Sequence, residues 1–410
     1  MTMTSKWAVS ALALTAGAGL AISGAAIAGA SGAAIAGAAG ASGHPGSAPS
    51  AVGPAKEPVG GRFYAVAATS SRNAWAVGLQ SSNSLIMRWS GSRSEPYRWR
   101  VSYKKPVGYF LGVAATSVRN AWAVGGSNWF SPSSTVAEHW NGTKWTRFAT
   151  PTPGGTGYFN AVAAISADNA WAVGLIGPGP GVPSATKPLI EHWNGTRWTT
   201  VKFPEPATGG QFSAVTATSA SNVWAVGHTG ATSEGNGQET LIEHWNGARW
   251  TTVPSPDPAG VGNTLAGVTA TGAGNAWADG INNTGTVYQS LILHWNGTRW
   301  AVVASPSPSG DTNLTAIAAA SRTNAWAVGM TNPTRCSNGG PPCETAILHW
   351  NGKAWSVTPS VNPPGSSLDV LEGVAIVSGH DAWTVGTDNY WTSTLIEHWN
   401  GTAWGWHLPR

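Results

Sequence analysis

The chain has 410 residues, a formal net charge of +4 and only 10% charged residues, where soluble proteins usually carry about 25%. Gly (53), Pro (27) and Trp (25) are abundant, so hydroxyls, amides and backbone rather than ions must keep it in solution. The only Lys pair is Lys104 with Lys105, and no basic run exists to track phosphates, so nucleic acid is not an expected partner.

The N-terminus reads as an export signal. Lys6 is followed by an apolar or small stretch over 7–22, and Ala26-Ile27-Ala28 offers a small-x-small cleavage site. A retained membrane anchor is the rival reading, but Gly and Ala dominate and the run falls short of about 18 strongly apolar residues. We therefore divide the chain into a signal peptide (1–28), a disordered Ala/Gly/Ser/Pro linker (29–61) and one folded domain (62–410). No later segment is long and apolar enough to span a bilayer, which makes the mature protein secreted.

From residue 62 onward one unit is written seven times. AWAVG or a close variant places a Trp at 75, 122, 171, 224, 277, 326 and 383, at spacings of 47 to 57 residues. Each is followed by a block best seen as LIEHWNGTRW, whose first Trp falls at 89, 140, 193, 245, 295, 350 and 399. Periods of this length belong to propellers or solenoids. In the fourth copy, 212–217 alternates small and β-branched residues as an inner strand does. Over 222–227 the period of two puts Trp224 and Val226 on one face and Val223 and Ala225 on the other. Residues 241–245 and 249–253 supply a third and a fourth strand. The expectation is an all-β, seven-bladed β-propeller with four antiparallel strands per blade. A solenoid would need atypical capping repeats, whereas the last copy is as regular as the middle ones. No strand exchanged between the termini can be identified.

Asn-Gly recurs between the third and fourth strands at 141, 194, 246, 296, 351 and 400, and predicts a two-residue type I′ reversal. Four of these read Asn-Gly-Thr, a glycosylation pattern, but Asn246-Gly247-Ala248 and Asn351-Gly352-Lys353 keep the turn without the acceptor. Three Trp per copy account for 21 of the 25. Enclosing each buries about 150–250 Å², worth on the order of 4–6 kcal/mol gross, which suits glue between blades.

Six copies set a His before the third-strand Trp: His139, His192, His244, His294, His349 and His398. Equivalent positions on a wide ring cannot converge on one ion, so these are expected to bond neighbouring strands or loops, and no metal or cofactor is expected. The recurrent Glu138, Glu191, Glu243 and Glu397 fall under the same argument. Cys336 and Cys343, the only cysteines, flank a Gly- and Pro-rich reversal and predict a local disulfide.

Connections within the first and third hairpins of each blade are constant, whereas length variation gathers in 126–134, 175–188, 228–239, 330–344 and 387–392, at the other end of the blades. Loops on a rigid frame carry recognition. Trp129, Phe130, Tyr288, Tyr390 and Trp391 stand outside the repeat there, next to Asn and Ser. They either stack on sugar faces or merely cover the blade ends. The nonrepeated carboxylates Asp311, Asp369, Asp388, Glu234, Glu239 and Glu344 are expected on variable loops, including those between blades, and Asp279 interrupts a strand where other copies have Val. Asp279 marks a site or drift at a partly exposed position. No catalytic residue is assigned.

The AWAVG and HWNGTRW blocks resemble the Trp-rich repeats of secreted bacterial propellers, loosely grouped with kelch, galactose oxidase central-domain and Asp-box proteins. The chain lacks the kelch double Gly, the Trp-Asp dipeptide of WD repeats and the full Asp-box spacing, so no catalytic or metal residue carries over. The leading functional expectation is a monomeric, secreted, non-catalytic propeller binding glycan or cell-wall polymer through its variable face. A protein scaffold or adhesion module is the alternative, and a polysaccharide hydrolase or lyase the third.

Overall fold

The computed structural model describes residues 60–406 apart from 82, 92–97, 106–107, 129–133, 178–185, 231–236, 337–340, 364 and 389–392. The signal peptide and nearly all of the linker read from the sequence lie outside them. The described residues form seven four-stranded antiparallel sheets, each built from four consecutive strands. Blade 4 is representative, with strands Gly210–Ser219, Asn222–Thr229, Thr240–Trp245 and Trp250–Thr252. One short 3-10 turn, Pro308–Gly310, accompanies them. Among the described residues no helix is long and apolar enough to cross a membrane.

The two faces of each second strand glue the sheet to both neighbours. Trp224 and Val226 join a cluster with blade 5, while Val223 and Ala225 pack toward blade 3. Trp224 lies 5.1 Å from Trp295 and 5.3 Å, edge on, from Trp300 of the next blade, a favoured aromatic geometry. The same trio recurs at every interface. At the closing one, Trp383 of blade 7 meets Trp89 at 5.0 Å and Trp99 at 5.3 Å, and Arg62 Nη2 donates to Glu372 Oε1 at 2.8 Å. Closure therefore needs no exchanged strand: blade 1 and blade 7 are each complete, and the side chains that join all other blades also join the ends.

Every first strand carries a β-bulge at the same place. In blade 4 the register shifts between Phe212 and Ala214, so Ser213 has no partner across the ladder. The bulge draws backbone against the Gly of AWAVG: a Cβ on Gly227 would stand 2.0 Å from the Gln211 carbonyl oxygen. That close approach explains the last letter of the motif.

The Asn-Gly reversals differ from the expected type I′. Only Gly has positive φ, +100° at Gly142, and Asn141 does not. Gly142 is the first central residue of a turn whose ends are Asn141 and Lys144, with Asn141 N donating to the Lys144 carbonyl at 3.4 Å. The Asn side chain supersedes the second positive φ. Asn141 Oδ1 accepts from Thr143 N, Thr143 Oγ1 and Lys144 N at 2.8–3.1 Å, an Asx-type turn. The Thr of Asn-Gly-Thr is thus part of the reversal. Cys336 and Cys343 form the expected disulfide, their Cα atoms 5.3 Å apart.

Candidate functional site

At the constant rim the repeated polar residues satisfy one another. Thr116 Oγ1 accepts from Asn120 Nδ2, and Asn120 Oδ1 receives His139 Nε2 at 2.6 Å. The same pair recurs as His192–Asn169, His244–Asn222, His294–Asn275, His349–Asn324 and His398–Asp381. Each ring also stacks on its own blade's Trp, at 4.1 Å for His244 on Trp224. Burial lowers the pKa of His139, His192, His244, His294 and His349 and so favours neutral rings. In blade 1, Arg88 takes over: it donates to Asn73 Oδ1 at 2.9 and 3.1 Å and lies over Trp75. The third-strand Trp close the network, as Trp245 Nε1 does on the Ala220 carbonyl.

The opposite arrangement is found on the axis. Seven first strands surround a channel of about 220 Å³, and each contributes its bulged residue, then an Ala or Gly, then a Val or Ile. The second and third layers repeat. The bulged layer does not: around the ring it reads Tyr64, Leu111, Asn160, Ser213, Ala266, Thr315 and Glu372. Bulges often re-aim side chains next to functional sites, and here a constant backbone device carries seven different side chains around the channel, each at most 6% exposed.

Several of these groups are under-used. Asn160 Nδ2 donates to the Phe212 carbonyl at 2.7 Å, but its Oδ1 has no partner. Ser213 Oγ has none, and Glu372 keeps Oε2 unpaired while Oε1 holds Arg62. All three residues are at most 3% exposed, where unpaired polar atoms are costly. Thr315 is satisfied, its Oγ1 reaching the Val328 and Leu371 carbonyls. On one side of the channel, Tyr64, Tyr109 and Leu111 pack with Tyr158. Burial raises the pKa of all three phenols, so they remain protonated. Asp279 stands behind the first strand of blade 5, where a Cβ on the lining Gly267 would meet its Oδ1 at 2.3 Å. It is fully buried rather than partly exposed, and burial pushes its carboxyl up to about 8.

Of the aromatics singled out from the sequence, Trp129, Phe130, Tyr390 and Trp391 lie outside the described residues. Tyr288 is described, but it opens a strand (Tyr288–Trp295) and is 5% exposed instead of standing on a loop. Its backbone N–H is held by Asp311 Oδ1 at 3.1 Å, and Asp311 Oδ2 receives Thr334 N and Oγ1. Asp369 accepts from Ser366 Oγ. Two of the loop carboxylates are therefore anchoring connections. Among the described residues no three His, Cys, Asp or Glu cluster to hold a metal ion. The axial ring escaped the sequence reading, although the signal was present: alignment of the copies on Phe212 leaves one variable column between two constant ones.

No family model matches the sequence, and no curated protein does. Among solved structures the chain is similar to YCF48 bound to D1 peptide, with a TM-score of 0.51 and 14% identity over 83% of this chain and 93% of that one. YCF48 from Cyanidioschyzon merolae gives 0.51 and 14% over 84% and 97%. A GH74 xyloglucanase from Xanthomonas campestris matches with a TM-score of 0.39 and 12% identity, over 77% of this chain and 56% of that one. The likeness to YCF48 is one of fold: this chain is a seven-bladed propeller.

Proposed function

We propose that this protein is an exported, non-catalytic member of the Trp-rich secreted propellers, which binds a neutral glycan or cell-wall polymer on its variable face around the axial channel. The observation that carries the reading is the contrast within the first strands, where the single nonrepeating layer lines the channel and leaves amide, hydroxyl and carboxylate atoms unpaired. Glycan hydroxyls both donate and accept, and an uncharged ligand suits a lining whose one carboxylate already holds Arg62. The disulfide of Cys336 and Cys343 accords with an oxidising compartment. A glycan array probed with the mature chain tests the reading. Binding that weakens after Trp129→Ala and Trp391→Ala supports it, and no binding to any glycan overturns it.

A peptide ligand is the second reading, favoured by the shared fold with a propeller solved bound to a peptide. Pull-down of a protein partner from the secretome, with a silent glycan array, would favour it.

A further inference from the structure

We infer that the constant rim of the propeller docks on an anionic lipid surface. This goes beyond the glycan reading and does not depend on it. Cations that look scattered along the sequence recur with the repeat, so folding gathers them at one end of the blades. In the hairpins between third and fourth strands, Arg197, Arg249 and Arg299 follow the Asn-Gly reversal at one place, and Lys144, Lys353 and Arg98 stand in the corresponding hairpins of blades 2, 6 and 1. The turns between first and second strands add Arg72, Arg119 and Arg322. All nine are exposed, and among the described residues none of them forms an ion pair. Against them, the one exposed carboxylate among the described residues of this rim is Asp168, while Glu205, Glu239, Asp257 and Glu344 are exposed at the opposite end of the blades. The rim therefore concentrates like charge, and a facing negative surface relieves the repulsion.

The layout of these charges selects a surface over a single polymer chain or a small anion. First strands line the channel and fourth strands lie outermost, so the two sets of turns place cations on an inner and an outer circle. The circles stand side by side: a Cβ on Gly142 of an outer turn would meet Arg119 Cγ of the inner one at 2.9 Å. In blades 2 to 7 the outer turns share one length and one set of hydrogen bonds from Asn to the residue three places on, which keeps their tips level. A linear polyanion follows a track and meets one arc of such an array, whereas a plane meets all of it. With at most two of these cations per blade, no pair encloses a single phosphate, and laterally mobile headgroups can move to face each one. Beside the turns Trp245, Trp295 and Trp350 leave part of their rings exposed while their Nε1 atoms donate to carbonyls. Rings of this kind, apolar in body and placed among cations, are favoured where a membrane meets water.

Vesicle co-sedimentation of the mature chain tests the inference. Vesicles of phosphatidylglycerol and phosphatidylcholine in equal parts should bind it, phosphatidylcholine alone should not, and binding should weaken as ionic strength rises. Each cation near an anionic surface contributes about fivefold to partitioning, so the combined variant Arg197→Gln, Arg249→Gln and Arg299→Gln should bind about a hundredfold more weakly. A second combined variant, Lys104→Gln, Lys105→Gln and Lys202→Gln, makes the same change in net charge at exposed positions away from this rim, and should bind as the parent does. Equal losses in the two variants would mean that net charge alone is at work, and would overturn the rim as the docking face. No binding to the anionic vesicles overturns the lipid surface, and so does capture of the chain by soluble polyphosphate without vesicle binding. A silent glycan array has no bearing on any of these outcomes, so the two readings fail separately.

Discussion

The constant rim and the axial channel are made from the same seven repeats, yet the rim repeats its side chains and one layer of the channel does not. On the rim both backbone and side chains repeat: in six blades an Asn or Asp bonds a His, the third-strand Trp donates to a carbonyl, and the AWAVG Trp stacks on the His ring, although the indole N–H of Trp224 has no partner. In the channel the backbone bulge repeats and its side chain does not, and three of the seven residues keep unpaired atoms. A residue that serves the ring must match its counterparts, because each interface presents the same neighbours. A residue released from the ladder by a bulge has no such duty. Asymmetry of function can therefore enter a symmetric frame at one layer without disturbing the others.

The sharpest way to break the frame is to remove one interblade Trp. Trp224 is buried against Trp295, Trp300 and His244, so Trp224→Ala should cost about 3–5 kcal/mol, the usual range for emptying such a site. Guanidinium unfolding monitored by fluorescence reads the loss. A cost under about 1 kcal/mol would mean that the interfaces do not hold the ring as described.

The next test concerns a repeated residue that lacks the rim's mutual satisfaction. Glu138, Glu243 and Glu397 are bonded by Tyr103, Thr252 and Ser360, but neither carboxyl oxygen of Glu191 has a partner. Burial pushes Glu191 from 4.5 to about 9. The folded state thus binds this proton more tightly than the unfolded chain does, and stability falls as pH rises between those two values, by up to about 1.4 kcal/mol per pH unit. Glu243 and Glu397 lie at about 7 and Asp279 at about 8, so Glu191 contributes the largest share of the slope above pH 8. Blades 5 and 6 have Leu293 and Leu348 at this place. Glu191→Leu should flatten that slope and raise the melting temperature at pH 8.5, while changing little at pH 4.5.

The blade count, the four strands, the role of the Trp and the scaffold role of the His were legible because each rests on a pattern repeated six or seven times. The axial site was not. Period-two alternation predicts which faces a regular strand presents, but the bulge at Ser213 breaks that alternation by one residue, and the hydrogen bonds lost there leave no mark in composition. Asp279 shows the same limit: one substitution among seven Val-like positions looks like drift until the missing Cβ of Gly267 reveals the space that the carboxyl occupies. Tyr288 opens a strand whose end is set by Asp311, 23 residues on, a partner that local pattern does not reveal.

Filling the close approach at the bulge links the two regions. A Cβ on Gly227 would collide with the Gln211 carbonyl oxygen, 2.0 Å away, and with Phe212 Cα at 2.8 Å. Both are backbone atoms and cannot rotate aside. Gly227→Ala should therefore cost about 1–3 kcal/mol by overpacking and push the Ser213 bulge toward the axis. If Ser213 belongs to the binding site, ligand affinity falls in this variant by more than the change in stability explains. Calorimetric titration beside thermal melting separates the two effects.

The smallest effect expected lies in the outer turns and isolates what one repeated hydroxyl contributes to the rim. Thr143 Oγ1 donates to Asn141 Oδ1 at 2.8 Å, but that oxygen also receives the backbone N–H of Thr143 and Lys144. Thr143→Ala removes one of three donors from an exposed acceptor that water can reach, so the cost should be at the low end for a hydrogen bond, about 0.5 kcal/mol. Blade 4 has already made the change, since Asn246-Gly247-Ala248 keeps both backbone bonds, at 3.0 and 3.1 Å. Asn141→Ala strips all three donors of their acceptor and should cost more than twice as much. If the two variants prove equal in chemical denaturation, the Asn side chain is not what shapes the turn, and the preference for Asn at six such reversals would need another cause.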